Sequence, residues 1–152
     1  MSGRRPGAGL VAAVVVLVLL AGCAGSSRTD EDYRRKAANT AEAAVSAVNT
    51  ARIGVQAAGE GRVTGPYVST LLGEAETDLL DAQSSFESRQ PPSLEADDVR
   101  DRLGEILNDA ADALAQVRIA ARRGQVQDLP AAGRDLPSVA QRLDRLEKEL
   151  SA

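Results

Sequence analysis

Residues 99–120 read Val-Arg-Asp-Arg-Leu-Gly-Glu-Ile-Leu-Asn-Asp-Ala-Ala-Asp-Ala-Leu-Ala-Gln-Val-Arg-Ile-Ala, and this stretch decides the fold. Val99, Leu103, Ile106, Ala110, Ala113, Val117 and Ala120 recur at alternating spacings of 4 and 3. That alternation follows the 3.6-residue turn of an α-helix and puts the apolar side chains on one face. Leu107 and Leu114 widen the stripe, and Arg100, Asp101, Glu105, Asp109 and Asp112 fall on other faces.

The same pattern occurs three more times. Ala37, Ala41, Ala44, Val48, Ala51, Val55 and Ala58 form a seam made mostly of alanine. Val68, Leu72, Ala75, Leu79, Ala82 and Phe86 form a second, and Leu136, Val139, Leu143, Leu146 and Leu150 a fourth. Each predicted helix has one face to bury. Alanine seams let helices approach closely, while the leucines and Phe86 supply most of the burial energy, about 1.5–3 kcal/mol per fully buried large side chain.

Helix-stop and helix-start residues separate the four segments. Gly59-Glu60-Gly61 closes the first, and Gly65-Pro66 opens the second. Pro91-Pro92-Ser93 precedes the third, with Ser93 as N-cap and Asp97 and Asp98 favourable near the positive end of the helix dipole. Arg122 and Arg123 suit the negative end, and Gly124 is a stop. Asp128 and Asp135 are alternative caps for the fourth segment, each followed two residues later by a first-turn proline. Short connections favour neighbours running in opposite directions. The expected fold is all-α, an up-down antiparallel four-helix bundle over residues 31–152. The alternative is a long two-helix coiled coil that dimerises through the same seams.

Composition and motifs exclude most chemistry. The chain has no histidine and no tryptophan, and Cys23 is its one cysteine, so no intramolecular disulfide is available. Acidic clusters occur at Glu74, Glu76, Asp78 and Asp81, and at Glu105, Asp109 and Asp112. Carboxylate di-metal sites in bundles use Glu-x-x-His motifs, and no Asp-rich, Gly-containing calcium loop occurs, so solvated helix faces are the expected reading and no metal or cofactor is expected. Ser69, Ser84 and Ser85 have no imidazole to activate them. Gly59-Glu60-Gly61 lacks the Gly-Lys that completes a phosphate-binding loop. A catalytic role is therefore not expected. Arg34, Arg35 and Lys36 read as a solvated first turn balanced by Asp30, Glu31 and Asp32, with contact to anionic head groups as the functional alternative. Arg118, Arg122 and Arg123 have the helix dipole as their explanation, with a partner contact as the alternative, and Tyr67 reads as a buried staple residue, with partial exposure at the bundle end as the alternative.

The N-terminal region carries the one strong signal. Arg4 and Arg5 precede an apolar run from Leu10 to Leu20, which ends in Leu20-Ala21-Gly22-Cys23. This is the charged, apolar, small-residue order of a secretory signal. With cysteine directly after the small pair, it resembles the bacterial lipoprotein class, whose lipobox is Leu-Ala-Gly-Cys in its commonest form. The resemblance implies that the Cys23 thiol receives a diacylglyceryl group and that a dedicated signal peptidase cuts between Gly22 and Cys23. It also implies that the freed amine of Cys23 can be acylated. The alternative is an uncleaved anchor over Ala8–Gly25, at the lower edge of a membrane span. Both place the remaining chain outside the cytoplasm.

The expected organisation is a signal peptide over 1–22, a lipidated Cys23 with a flexible tether over 23–30, and the helical domain over 31–152. Removing residues 1–22, which hold Arg4 and Arg5 and no acid, takes the chain from 152 to 130 residues and its formal charge from −4 to −6. An acidic domain is a poor match for nucleic acid. Arginine outnumbers lysine 16 to 2, and with abundant alanine the whole resembles small helical lipoproteins of actinobacteria. The expected function is a non-catalytic interaction or structural module at the extracytoplasmic face of the cell membrane, held to lipid through Cys23 and meeting an envelope protein. The alternative is a binding protein for an apolar or envelope-derived small molecule held between the helices.

Overall fold

The computed structural model describes residues 29–152, and they are almost wholly helical. Helix α1 runs Asp30–Gly59, α2 Gly65–Glu87, α3 Leu94–Arg122, α4 Leu129–Ala132 and α5 Leu136–Ser151, with one 3₁₀ turn at Val126–Asp128. The residues of the signal and lipobox, Cys23 included, lie outside the described region.

Local chemistry accounts for the boundaries. The Thr29 side chain accepts a hydrogen bond from the Asp32 N–H at 3.1 Å, so α1 begins one residue before the expected domain start and takes Asp30 from the tether. Ser93 caps α3 as expected, accepting from the Ala96 N–H at 3.2 Å. Gly61 and Gly124 take φ of 67° and 71°. The left-handed turn lets the next residue reach back, with Arg62 N–H bonding the Ala57 carbonyl and Gln125 N–H the Ala120 carbonyl. That is the reason glycine stands at both helix ends.

The fourth segment departs from expectation. It forms a short helix and a long one, α4 and α5, because Pro130 and Pro137 each sit in a first turn and end whatever precedes them. Neither Asp128 nor Asp135 caps through its side chain. Both have helical rather than extended backbone (φ −89°, ψ −8° and φ −87°, ψ −17°), which turns the carboxylate away from the N–H groups it would accept from.

The helices share one core. Every seam residue of α1 and α5 is buried, and α1, the alanine-rich helix, touches all four of the others. Small side chains permit that central place. On α3 the buried face turns slightly from the expected stripe: Leu107 and Leu114 are fully buried and Ile106 only partly. Ala82 on α2 is also only partly covered. Leu129 of α4 is fully buried, so the short helix plugs one end of the core. At the other end the Tyr33 and Phe86 rings meet at 5.3 Å with a 49° tilt, a favourable aromatic geometry.

Polar contacts fix the relative register. Arg102 grips Glu149 through two hydrogen bonds of 2.8 and 2.6 Å, and Arg142 binds both Glu105 and Asp109. Gln83 reaches Asn108 at 2.9 Å, and Arg118 pairs with Glu76. The Glu76–Arg118 pair is the most sheltered, its side chains 16% and 23% exposed. Among the described residues no helix is long and apolar enough to cross a membrane.

Candidate functional site

Three of the seven carboxylates in the acidic clusters pair with arginine. Glu76 meets Arg118, while Glu105 and Asp109 share Arg142. Among the described residues no three Asp, Glu, Cys or His side chains stand together as metal ligands do. Ser69 sits partly buried on α2, whereas Ser84 and Ser85 are exposed, and the Ser85 carbonyl accepts from Ser88 at 2.9 Å. These are ordinary helix contacts.

The basic triplet is tied into its own end of the fold. Arg35 pairs with Asp32, and Arg34 donates to the Glu149 carbonyl at 3.5 Å. Nearby, Ser93 donates to Asp30 at 2.6 Å, joining the starts of α1 and α3. The hydrogen-bonded Arg102 fork holds the Glu149 carboxyl below its ordinary pKa. In the interior beneath, burial raises the Tyr33 phenol while Arg100 pulls it the other way. The Tyr33 hydroxyl has no hydrogen-bond partner among the described residues.

Two expectations change here. Tyr67 is no buried staple; it is 58% exposed, because Val68 takes the inward position next to it. Arg118 does not serve the helix dipole; it lies one turn before the end of α3 and reaches Glu76 on α2. Arg122 does sit in the last turn, beside a polar groove along α2.

Three surface grooves are large enough to consider as sites. The first, about 460 Å³, is lined by Ser69, Thr70, Gly73, Glu74, Thr77 and Arg122 among others and is almost wholly polar in residue type. The second, about 540 Å³, lies at the Thr29 end between Arg34, Arg35, Ala38, Asn39 and Leu150. The third, about 510 Å³, lies at the opposite end, where Ile53, Val55 and Gly59 of α1 face Pro130 and Leu136. All three are open at the surface rather than enclosed between helices. The third combines an apolar floor with arginines at its rim, Arg52 and Arg134.

Sequence reasoning missed this third site. Its residues come from two stretches about seventy positions apart, and Pro130 and Pro137 had been read only as helix-start signals. Exposed Ile53, out of phase with the α1 seam, was the available clue. A scan of protein-family models and searches of curated proteins and of solved structures find no match to this chain.

Proposed function

We propose that this chain is a lipid-anchored, extracytoplasmic lipoprotein whose helical domain is a non-catalytic interaction module of the cell envelope. The observation that carries the reading is Leu20-Ala21-Gly22-Cys23, at the end of an apolar run preceded by Arg4 and Arg5. The acyl chains on Cys23 hold the domain to the membrane, since two chains anchor stably where one is marginal. Support for the non-catalytic part comes from side-chain chemistry. Glu76, Glu105 and Asp109 are engaged by arginines, and Ser69, Ser84 and Ser85 lie on a helix in a chain without histidine.

We read the topology as an up-down four-helix bundle of α1, α2, α3 and α5, with α4 an insertion in the last connection. The pairs Arg102–Glu149 and Asp109–Arg142 favour this, since numbers fall along α5 as they rise along α3. Gln83–Asn108 and Glu76–Arg118 do the same for α2 and α3. Packing favours the module reading over a binding protein, because the buried face of α1 is mostly alanine and lets its neighbours approach closely.

The test of the anchor is Cys23→Ser in the producing cell, with an alkyne-tagged fatty acid as label. The expected result is loss of label together with retention of the uncut signal segment. A variant that stays labelled or keeps its processed length overturns the proposal.

A further inference from the structure

The groove remote from Thr29 has the make-up of a recognition surface. Val55, Gly59, Gly133, Pro130 and Leu136 form its apolar floor, and Ile53 stands 67% exposed at its edge. The floor depends on a close approach: a Cβ at Gly59 would sit 3.0 Å from Pro130 Cγ. An exposed isoleucine beside an apolar floor leaves water in contact with surface that gains from being covered.

Among the described residues, the charge left without an ionic partner at the rim is positive. The Arg52 guanidinium bonds only a neutral partner, the Asn49 amide oxygen at 2.6 Å. Arg134 forms no ion pair with the described acids. Glu60, the acid of the groove, is already held by Arg62. The surroundings agree: residues 52–67 and 115–137 together carry six arginines and three acids, in a chain whose overall charge is negative. Basic character is concentrated at this one end.

We propose that this groove docks an acidic protein segment that inserts one apolar side chain between Ile53 and Pro130, above the buried Leu136, and presents carboxylates to Arg52 and Arg134. The inference rests on the interaction-module reading and gives it a place and a partner chemistry. Arginine forks match carboxylates in geometry as well as charge, and an apolar anchor within a charged rim is the usual anatomy of a binding hot spot. The open side of the groove favours a protein segment over a small amphiphile, because small-molecule sites enclose most of their ligand. Arg52 lies about 35 Å along α1 from Thr29. A membrane anchor upstream of Thr29 therefore leaves the groove clear of the bilayer.

The experiment uses the full chain in its own cell, with a photo-crosslinking amino acid at Gln56 on the groove rim. Control positions are Asp81 on α2, Asp112 on α3 and Arg145 on α5. The expected result is a protein adduct from position 56 whose crosslinked peptide, sequenced by mass spectrometry, has Asp or Glu flanking an apolar residue. Arg52→Glu with Arg134→Glu should reduce that adduct at least tenfold. Arg52→Gln with Arg134→Gln serves if the charge reversal disturbs folding by circular dichroism. Adducts from control positions alone, a lipid adduct at 56, a crosslinked segment without acids, or an adduct indifferent to both arginine pairs overturns the groove while leaving the module reading standing. No adduct from any position overturns both.

Discussion

Three glycines in the middle of helices make a controlled experiment. Gly54, Gly73 and Gly104 stand in α1, α2 and α3, and none has positive φ. Alanine in place of glycine inside a helix gains about 0.5–1 kcal/mol, chiefly because the unfolded chain has less freedom to lose. The three sites differ in what a methyl would meet. At Gly73 and Gly104 a Cβ finds nothing within 4 Å, so the whole gain should be realised. At Gly54 it would stand 2.7 Å from Leu71 Cδ2, well inside contact. Leu71 is only partly buried and can move, but leaving its rotamer well costs about 0.5–1.5 kcal/mol. Gly54→Ala should therefore come out near zero. Gly73→Ala and Gly104→Ala should each stabilise by about 0.5–1 kcal/mol and should add, as substitutions on separate helices without shared partners do. The double variant should melt roughly 5 °C higher, at about 3–5 °C per kcal/mol for a domain of this size. Urea unfolding followed by far-ultraviolet circular dichroism gives the values, with an unchanged m showing that the unfolded state is the same. Destabilisation by Gly73→Ala or Gly104→Ala would refute the reasoning, because it would mean that something packs on a face described here as open.

Three other outcomes are expected. Leu72→Asp or Leu143→Asp places a charge at a fully buried position and should unfold the domain, at a cost of several kcal/mol; a cooperative melt at the wild-type temperature contradicts the core. Tyr33→Phe keeps the ring on Phe86 and removes a buried hydroxyl that has no protein partner, so it should be neutral or stabilise by about 1 kcal/mol, and a loss larger than that in urea unfolding shows the hydroxyl is bonded. The Glu149 carboxyl is held below its ordinary value by Arg102, so its contribution is present above the unfolded pKa of about 4.5 and is lost as pH falls through the lower folded value. Glu149→Gln should thus be less stable than wild type at pH 7, and the two should converge on acidification; a constant gap across that range counts against the pairing.

Much of the architecture was legible because it is local. The 4-and-3 spacing of Ala37 to Ala58 needs nothing beyond its own helix to be recognised, and the Ser93 cap lies directly before the helix it serves. The losses came where two distant stretches decide together. Leu129 stands outside all four seams, yet it is fully buried at the end of the core, where α4 meets α1 and α3. Ile106 and Leu107 are adjacent and equally apolar, and only the positions of neighbouring helices choose Leu107 for the inside. Arg118 fitted a dipole argument on its own helix until Glu76, forty-two positions earlier, claimed it. The groove beside Ile53 is the extreme case, since nothing in residues 52–60 announces Pro130 or Leu136.

The joint at the start of α1 has a mechanical meaning. Helix ends ordinarily fray at almost no cost, and a chain pulled by one end unravels from there. Here any tension arriving through the residues before Thr29 enters a turn tied to three other helices. Ser93 holds Asp30, Arg34 holds the end of α5 by the Glu149 carbonyl, and Tyr33 is wedged on Phe86 just inside. A tug at that point loads all four long helices at once instead of peeling a single turn. The helices are tied together at the point where a leash would be fastened.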